Sequence, residues 1–166
     1  KLKQIVDAFE DLSMVEDNAH GLFGSHRDRP LGSFGRFSTL SFHETKNFSC
    51  GEGGALVINQ EQDVPRAHVL YDKGTNRAAF EKGEIDRYTW VDQGSSFGMS
   101  DLLAGFLLGQ LEQRSQIMEK RKDIFDQYHR LLSSLQEQLG FQVPVVQEWQ
   151  QPGYHMFYVL TSDGAR

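Results

Sequence analysis

With 166 residues and a formal net charge of -6, the chain is long enough to bury a sizeable core and too acidic to be a general binder of phosphate backbones. Its single cysteine, Cys50, excludes an internal disulfide framework and fits a reducing, cytoplasmic compartment. No apolar run approaches the roughly 18 residues that a membrane-spanning helix needs, and Lys1-Leu-Lys-Gln-Ile-Val6 lacks the apolar centre of a signal peptide.

Along the chain, Leu2, Ile5, Val6 and Phe9 stand at helical spacing and predict a helix over residues 2–12. Residues 13–16 read as a short strand, broken by Asp17-Asn-Ala-His-Gly21. Residues 27–35, rich in Gly, Pro and charge, read as a loop or hairpin. Residues 37–43 and 54–59 read as strands, and residues 61–71 as a helix. Residues 72–96 are long, polar and Gly-rich. A loop of that kind is usually functional or an interface, with Arg77, Tyr88 and Trp90 as candidate anchors. Ser100 is placed to cap a helix that continues through Leu111. A second helical pattern runs to about Leu139, with alternating charges from Glu112 to Arg130 on a solvated face. Residues 143–153 look like a linker, and residues 155–160 like a terminal strand.

Strands alternating with helices predict the α/β class with a mostly parallel sheet. Residues 1–110 form the main unit in this reading. Residues 111–166 are bridging helices leading into a second, smaller unit. The first residue already lies in a helical pattern, and a terminal strand needs a neighbour to satisfy its edge. The chain is therefore expected to be an internal piece of a longer protein.

Chemistry concentrates at Ser41-Phe-His-Glu-Thr-Lys-Asn47, closed by Gly51-Glu-Gly-Gly54. One lysine, Lys46, sits in a short turn between two strands. A neutral amine held among apolar walls can form a Schiff base with a carbonyl or with pyridoxal phosphate; the competing reading is a solvated loop lysine. Asp17 ends an apolar run where an acid could meet a pyridinium nitrogen, or simply cap a turn. The three glycines Gly51, Gly53 and Gly54 are expected to supply unusual backbone angles, and Cys50 to be a small buried residue.

These segments occur in order with Leu31-Gly-Ser-Phe-Gly35, Lys73-Gly-Thr-Asn-Arg77, Tyr88-Thr-Trp90, Gly94-Ser-Ser96, Met99-Ser-Asp-Leu102 and His155-Met-Phe-Tyr158. Together they resemble the DegT/DnrJ/EryC1/StrS sugar aminotransferases over about residues 1–160. Within that family they are most similar to the dTDP-4-amino-4,6-dideoxygalactose transaminases of cell-surface polysaccharide synthesis. The resemblance implies a partial fold-type-I aminotransferase fold: the second half of a large domain, residues 1–110, and the start of a small one, residues 111–166. It implies pyridoxal 5'-phosphate as cofactor, a nucleotide-linked 4-keto-6-deoxy sugar as substrate, an amino acid such as glutamate as donor, and a cytoplasmic homodimer.

By the same resemblance, Lys46 is the covalent anchor and proton carrier, and Asp17 faces the pyridine nitrogen. His20 lies near the cofactor ring, unless it is a packed or capping histidine. Ser41 bonds the phosphate. Ser96 stands where many relatives place an asparagine that reaches the partner subunit's phosphate. His155 and Tyr158 line the sugar-nucleotide site, or belong to a small-domain strand. No metal is implied. Relatives that act as dehydratases replace the lysine with histidine, so Lys46 argues against that activity. A non-catalytic relative that keeps the fold and dimer surface is the alternative.

Overall fold

The computed structural model describes residues 2–161. It opens with a single helical turn, α1 (Leu2–Val6), shorter than the 2–12 pattern predicts. Leu2, Ile5 and Phe9 remain more than half exposed. A short helix is marginal in water unless its apolar stripe is covered, and no described part of this chain covers it.

The first strand, β1 (Val15–Asp17), is followed by β2 (Ser25–His26) and β3 (Arg29–Pro30), which form a tight antiparallel hairpin. Arg27 and Asp28 at its tip have φ of 50° and 60°, the positive values that a two-residue hairpin turn demands. Strand β4 (Phe37–Ser41) then runs parallel to β1, placing Asp17 opposite Thr39. Strand β5 (Gly54–Ile58) returns antiparallel to β4, giving the order β1-β4-β5. The sheet is thus mixed rather than mostly parallel, because residues 42–53 form turns instead of the crossover helix that a parallel return requires.

Two polar ties hold this frame. The Glu16 carboxylate accepts the backbone N–H groups of Gly32, Phe34 and Gly35 at 2.9, 2.6 and 2.7 Å. Arg36 makes a two-pronged ion pair with Asp63, at 2.6 and 2.5 Å. That pairing holds the Asp63 carboxyl below the usual carboxylate range. Asp63 closes a 3-10 turn ahead of α2 (Val64–Tyr71), whose first turn contains Pro65.

Residues 72–96 are mostly irregular, as expected. They hold one short helix, α3 (Arg77–Glu81), and a bridge between Thr75 and Trp90. Gly74, at φ 78°, and Gly94 pack backbone to backbone; a Cβ on Gly94 would lie 1.9 Å from the Gly74 nitrogen. Arg77 pairs with Glu81 at 2.7 Å, while Trp90 is 77% exposed.

Ser100 caps α4 (Asp101–Glu112), its hydroxyl accepting the Leu103 N–H. Helices α5 (Arg114–Ser133) and α6 (Gln136–Leu139) follow, and Gly140 ends α6 at a left-handed φ of 67°. No described helix is long and apolar enough to cross a membrane. Strand β6 (Phe141–Gln142) comes next. The expected linker at 143–153 contributes a strand, β7 (Gln150–Gln151), which pairs with β2. The expected strand at 155–160 is irregular up to β8 (Leu160–Thr161), which pairs with β6. Ahead of it, His155 is bonded to the Asn47 side chain. The polar tail after Thr161 lies outside the described residues.

Phe42, Phe48, Cys50 and Leu107 form the buried centre, with Leu22, Phe23, Met99 and Leu103 packed around it. Helix α4 therefore closes directly over the lysine-bearing turn.

Candidate functional site

Strand β4 ends at Ser41, and the chain then folds through residues 42–53 before re-entering the sheet as β5. Apolar burial pins this connection: Phe48 is 1% exposed, and Phe42 and Cys50 are buried beside it. The Cys50 thiol donates towards the Phe42 carbonyl at 3.8 Å, so it behaves as a packed residue. From α4, the Gln110 side chain accepts the Ser49 N–H at 3.1 Å and donates to the Ser49 carbonyl. Of the three glycines, only Gly51 takes a left-handed φ, 86°. Gly53 and Gly54 serve close approach instead: a Cβ on Gly53 would lie 2.5 Å from Met99 Cε, and one on Gly54 2.8 Å from the Leu40 carbonyl oxygen.

This pinned turn holds Lys46 half-buried, and among the described residues its amine forms no ion pair. A small cleft gathers Lys46 with Ala19, His20, Ser41, Asn47 and His155. The imidazoles of His20 and His155 stack with centroids 4.3 Å apart and planes 28° from parallel. His155 arrives from the far end of the chain and is held there by Asn47. Asn47 Oδ1 lies 2.8 Å from His155 Nδ1, and Asn47 Nδ2 donates to the Gly153 carbonyl at 2.5 Å. Arg121 on α5 donates to the intervening Tyr154 carbonyl at 3.2 Å. Tyr154 itself sits at φ 48°, a strained value for an aromatic residue, held in place by these bonds. Burial, helped by the positive fields of His20, Lys46 and Arg121, holds the His155 imidazole below its ordinary pKa. Burial also lowers Arg121.

The cleft thus brings together four of the residues singled out from sequence: His20, Ser41, Lys46 and His155. Three others lie outside it. Asp17 is exposed at the carboxyl end of β1 and accepts the Ala19 N–H at 3.2 Å. Ser96 is exposed in the long loop. Tyr158 is exposed and lines a different cleft beside Ser25 and Met156. Sequence reasoning missed Gln110 and did not single out Asn47 as a site residue. The polar type and position of Asn47, next to the lysine, were the available signal; Gln110 carried none. Among the described residues no group of three His, Cys, Asp or Glu could hold a metal ion.

The residues present fit pyridoxal phosphate. A half-buried amine with no carboxylate partner among the described residues, a strand-end hydroxyl and an imidazole share one cleft, and a carboxylate stands at the end of the adjacent strand.

Comparison with known proteins gives the same direction. A model described as the DegT/DnrJ/EryC1/StrS aminotransferase family matches residues 1–166. The spore coat polysaccharide biosynthesis protein SpsC of Bacillus subtilis is 30% identical over 155 residues, covering 92% of this chain and 39% of SpsC. GDP-perosamine synthase of Escherichia coli O157:H7 is 31% identical over 137 residues, covering 81% of this chain and 35% of that protein. The crystallised aminotransferase of Psychrobacter cryohalolentis superposes with a TM-score of 0.88 at 23% identity, over 98% of this chain and 44% of that one. The chain spans about two fifths of the length of these relatives or less.

Proposed function

Because this chain belongs to the DegT/DnrJ/EryC1/StrS aminotransferase family, whose aminotransferases depend on pyridoxal phosphate, we propose that it supplies the lysine half of a sugar-aminotransferase active site. The fold is a partial fold-type-I arrangement. We read residues 1–110 as the later part of the large domain and residues 111–166 as bridging helices and the start of the small one. The acceptor is a nucleotide-linked 4-keto-6-deoxy sugar, the donor an amino acid such as glutamate, and the product serves cell-surface polysaccharide. The working protein is a cytoplasmic homodimer. The observation that carries this reading is Lys46, half-buried and, among the described residues, without an ion-pair partner, in a cleft with Ser41, His20 and His155.

When bound, pyridoxal phosphate supplies the electron sink that makes amino transfer possible. Lys46 Nζ would be the group that holds the cofactor, and its amine would be the base that carries a proton at the substrate carbon. The Asp17 carboxylate would face the pyridine nitrogen and keep it protonated, since opposite charges at short range favour both ionised forms. Ser41 would donate a hydrogen bond to the phosphate, His20 would orient the ring, and Ser96 would serve the phosphate of the partner subunit. His155 and Tyr158 face the sugar nucleotide. The buried Phe48 shields the back of the turn that carries Lys46 from water.

Borohydride reduction of the full-length protein loaded with pyridoxal phosphate tests this. A pyridoxyl group on the Lys46 peptide is expected. Label on a different lysine overturns the assignment, and absence of any label favours the non-catalytic alternative.

A further inference from the structure

The side-chain amide of Asn47 has two neighbours of opposite demand. The Gly153 carbonyl is only an acceptor, so it must meet the Nδ2 amine, and it does so at 2.5 Å. That contact fixes which way the amide points. Its oxygen is then the atom facing His155 Nδ1, at 2.8 Å. A carbonyl oxygen can only accept, so Nδ1 must carry a hydrogen. In a neutral imidazole the lone pair then lies on Nε2. Among the described residues, Nε2 forms no hydrogen bond.

We infer that Asn47 is a positioning residue, locking His155 as the Nδ1–H imidazole so that Nε2 is a hydrogen-bond acceptor at the Lys46 cleft. Three further features make the lock specific. Gly153 is buried, and a Cβ there would sit 3.1 Å from the carbonyl oxygens of His20 and Leu22. Tyr154 is held at its positive φ between the Asn47 and Arg121 bonds. The His155 ring lies flat against His20. Charged and titratable groups facing the ring are His20 from the segment after β1, Lys46 from the turn and Arg121 from α5. All three are basic and oppose a second positive charge, so the ring stays a neutral acceptor near neutral pH. The group it accepts from rests on the aminotransferase reading: there it is a hydroxyl of the sugar. An acceptor at this point would favour a sugar that presents a hydroxyl and disfavour a deoxy analogue at the same carbon, because the half-buried acceptor would be left unpaired.

The tautomer can be read directly. Full-length protein labelled with 15N in its histidine rings gives long-range proton–nitrogen correlations, and the His155 pattern is identified by its loss in His155→Gln. The expected pattern is a protonated Nδ1 and an unprotonated Nε2. Asn47→Asp keeps an acceptor on Nδ1, so it should retain this tautomer and raise the His155 titration midpoint through its charge. Asn47→Ala should release the tautomer. An Nε2–H ring in the unaltered protein overturns the inference, as does an identical His155 pattern in Asn47→Ala. Either result leaves the Lys46 labelling untouched, whereas failure of that labelling removes the aminotransferase reading and leaves the tautomer assignment in place.

Discussion

Gln110, in the last turn of α4, grips the backbone of Ser49 at both its N–H and its carbonyl, across 61 residues of chain. Helix α4 thereby holds the turn that carries Lys46 by hydrogen bonds as well as by the packing of Leu107 against Phe48 and Cys50.

Gln110→Ala should loosen that turn. Two backbone groups in a half-buried place lose their partners, at about 1 kcal/mol each. Urea unfolding of the full-length protein should show a loss of about 2 kcal/mol, and amide exchange at Ser49 should accelerate. Unchanged exchange at Ser49 would count against the clamp.

Asp17→Asn should leave Lys46 able to take the pyridoxyl label while slowing amino transfer greatly. Removing the charge partner of a buried cation typically costs several kcal/mol, or roughly a thousandfold in rate. A variant within threefold of the unaltered enzyme, measured by steady-state kinetics, would contradict the proposed role.

The His155 site should make stability depend on pH. Its imidazole is held below the ordinary value of about 6.5, so the unfolded chain binds the proton more readily than the fold does. Stability from this residue is full above that ordinary value and is lost as pH falls below it towards the folded-state pKa. Denaturant midpoints measured at several pH values on either side of 6.5 should show this decline. His155→Gln should flatten the profile, and an equally steep profile in that variant would assign the effect to other groups.

Shared active sites predict recovery on mixing. Lys46→Ala disables one subunit's own site. Ser96→Glu, in the long loop, sets a negative charge where the partner's phosphate is proposed to lie. A heterodimer of the two combines one doubly damaged site with one intact site, so activity should reappear after subunit exchange. Trp90, 77% exposed in the same loop, is the anchor expected to weaken the dimer when changed to Ala. No recovery despite demonstrated exchange would mean that each subunit builds its site alone.

Local pattern alone specified much of this chain. The β4 and β5 strands, the α2 and α4 helices, the Ser100 cap and the pinned lysine turn follow from alternation, periodicity and capping chemistry, which act within a few residues. The order of the motifs was also enough to identify the family. Other features depended on partners far along the chain. The 2–12 helix shrank to one turn because nothing described here covers its apolar stripe. The 143–153 segment became part of a sheet because β2 offered it an edge, and the chain at 153–155 is held by bonds from Asn47 and Arg121 rather than by a ladder. The site shows the same division. Sequence singled out Lys46 and His155 separately, but only folding sets Asn47 between them, 108 residues from its histidine. A side-chain amide has no preferred partner until the tertiary structure brings one donor and one acceptor to its two ends.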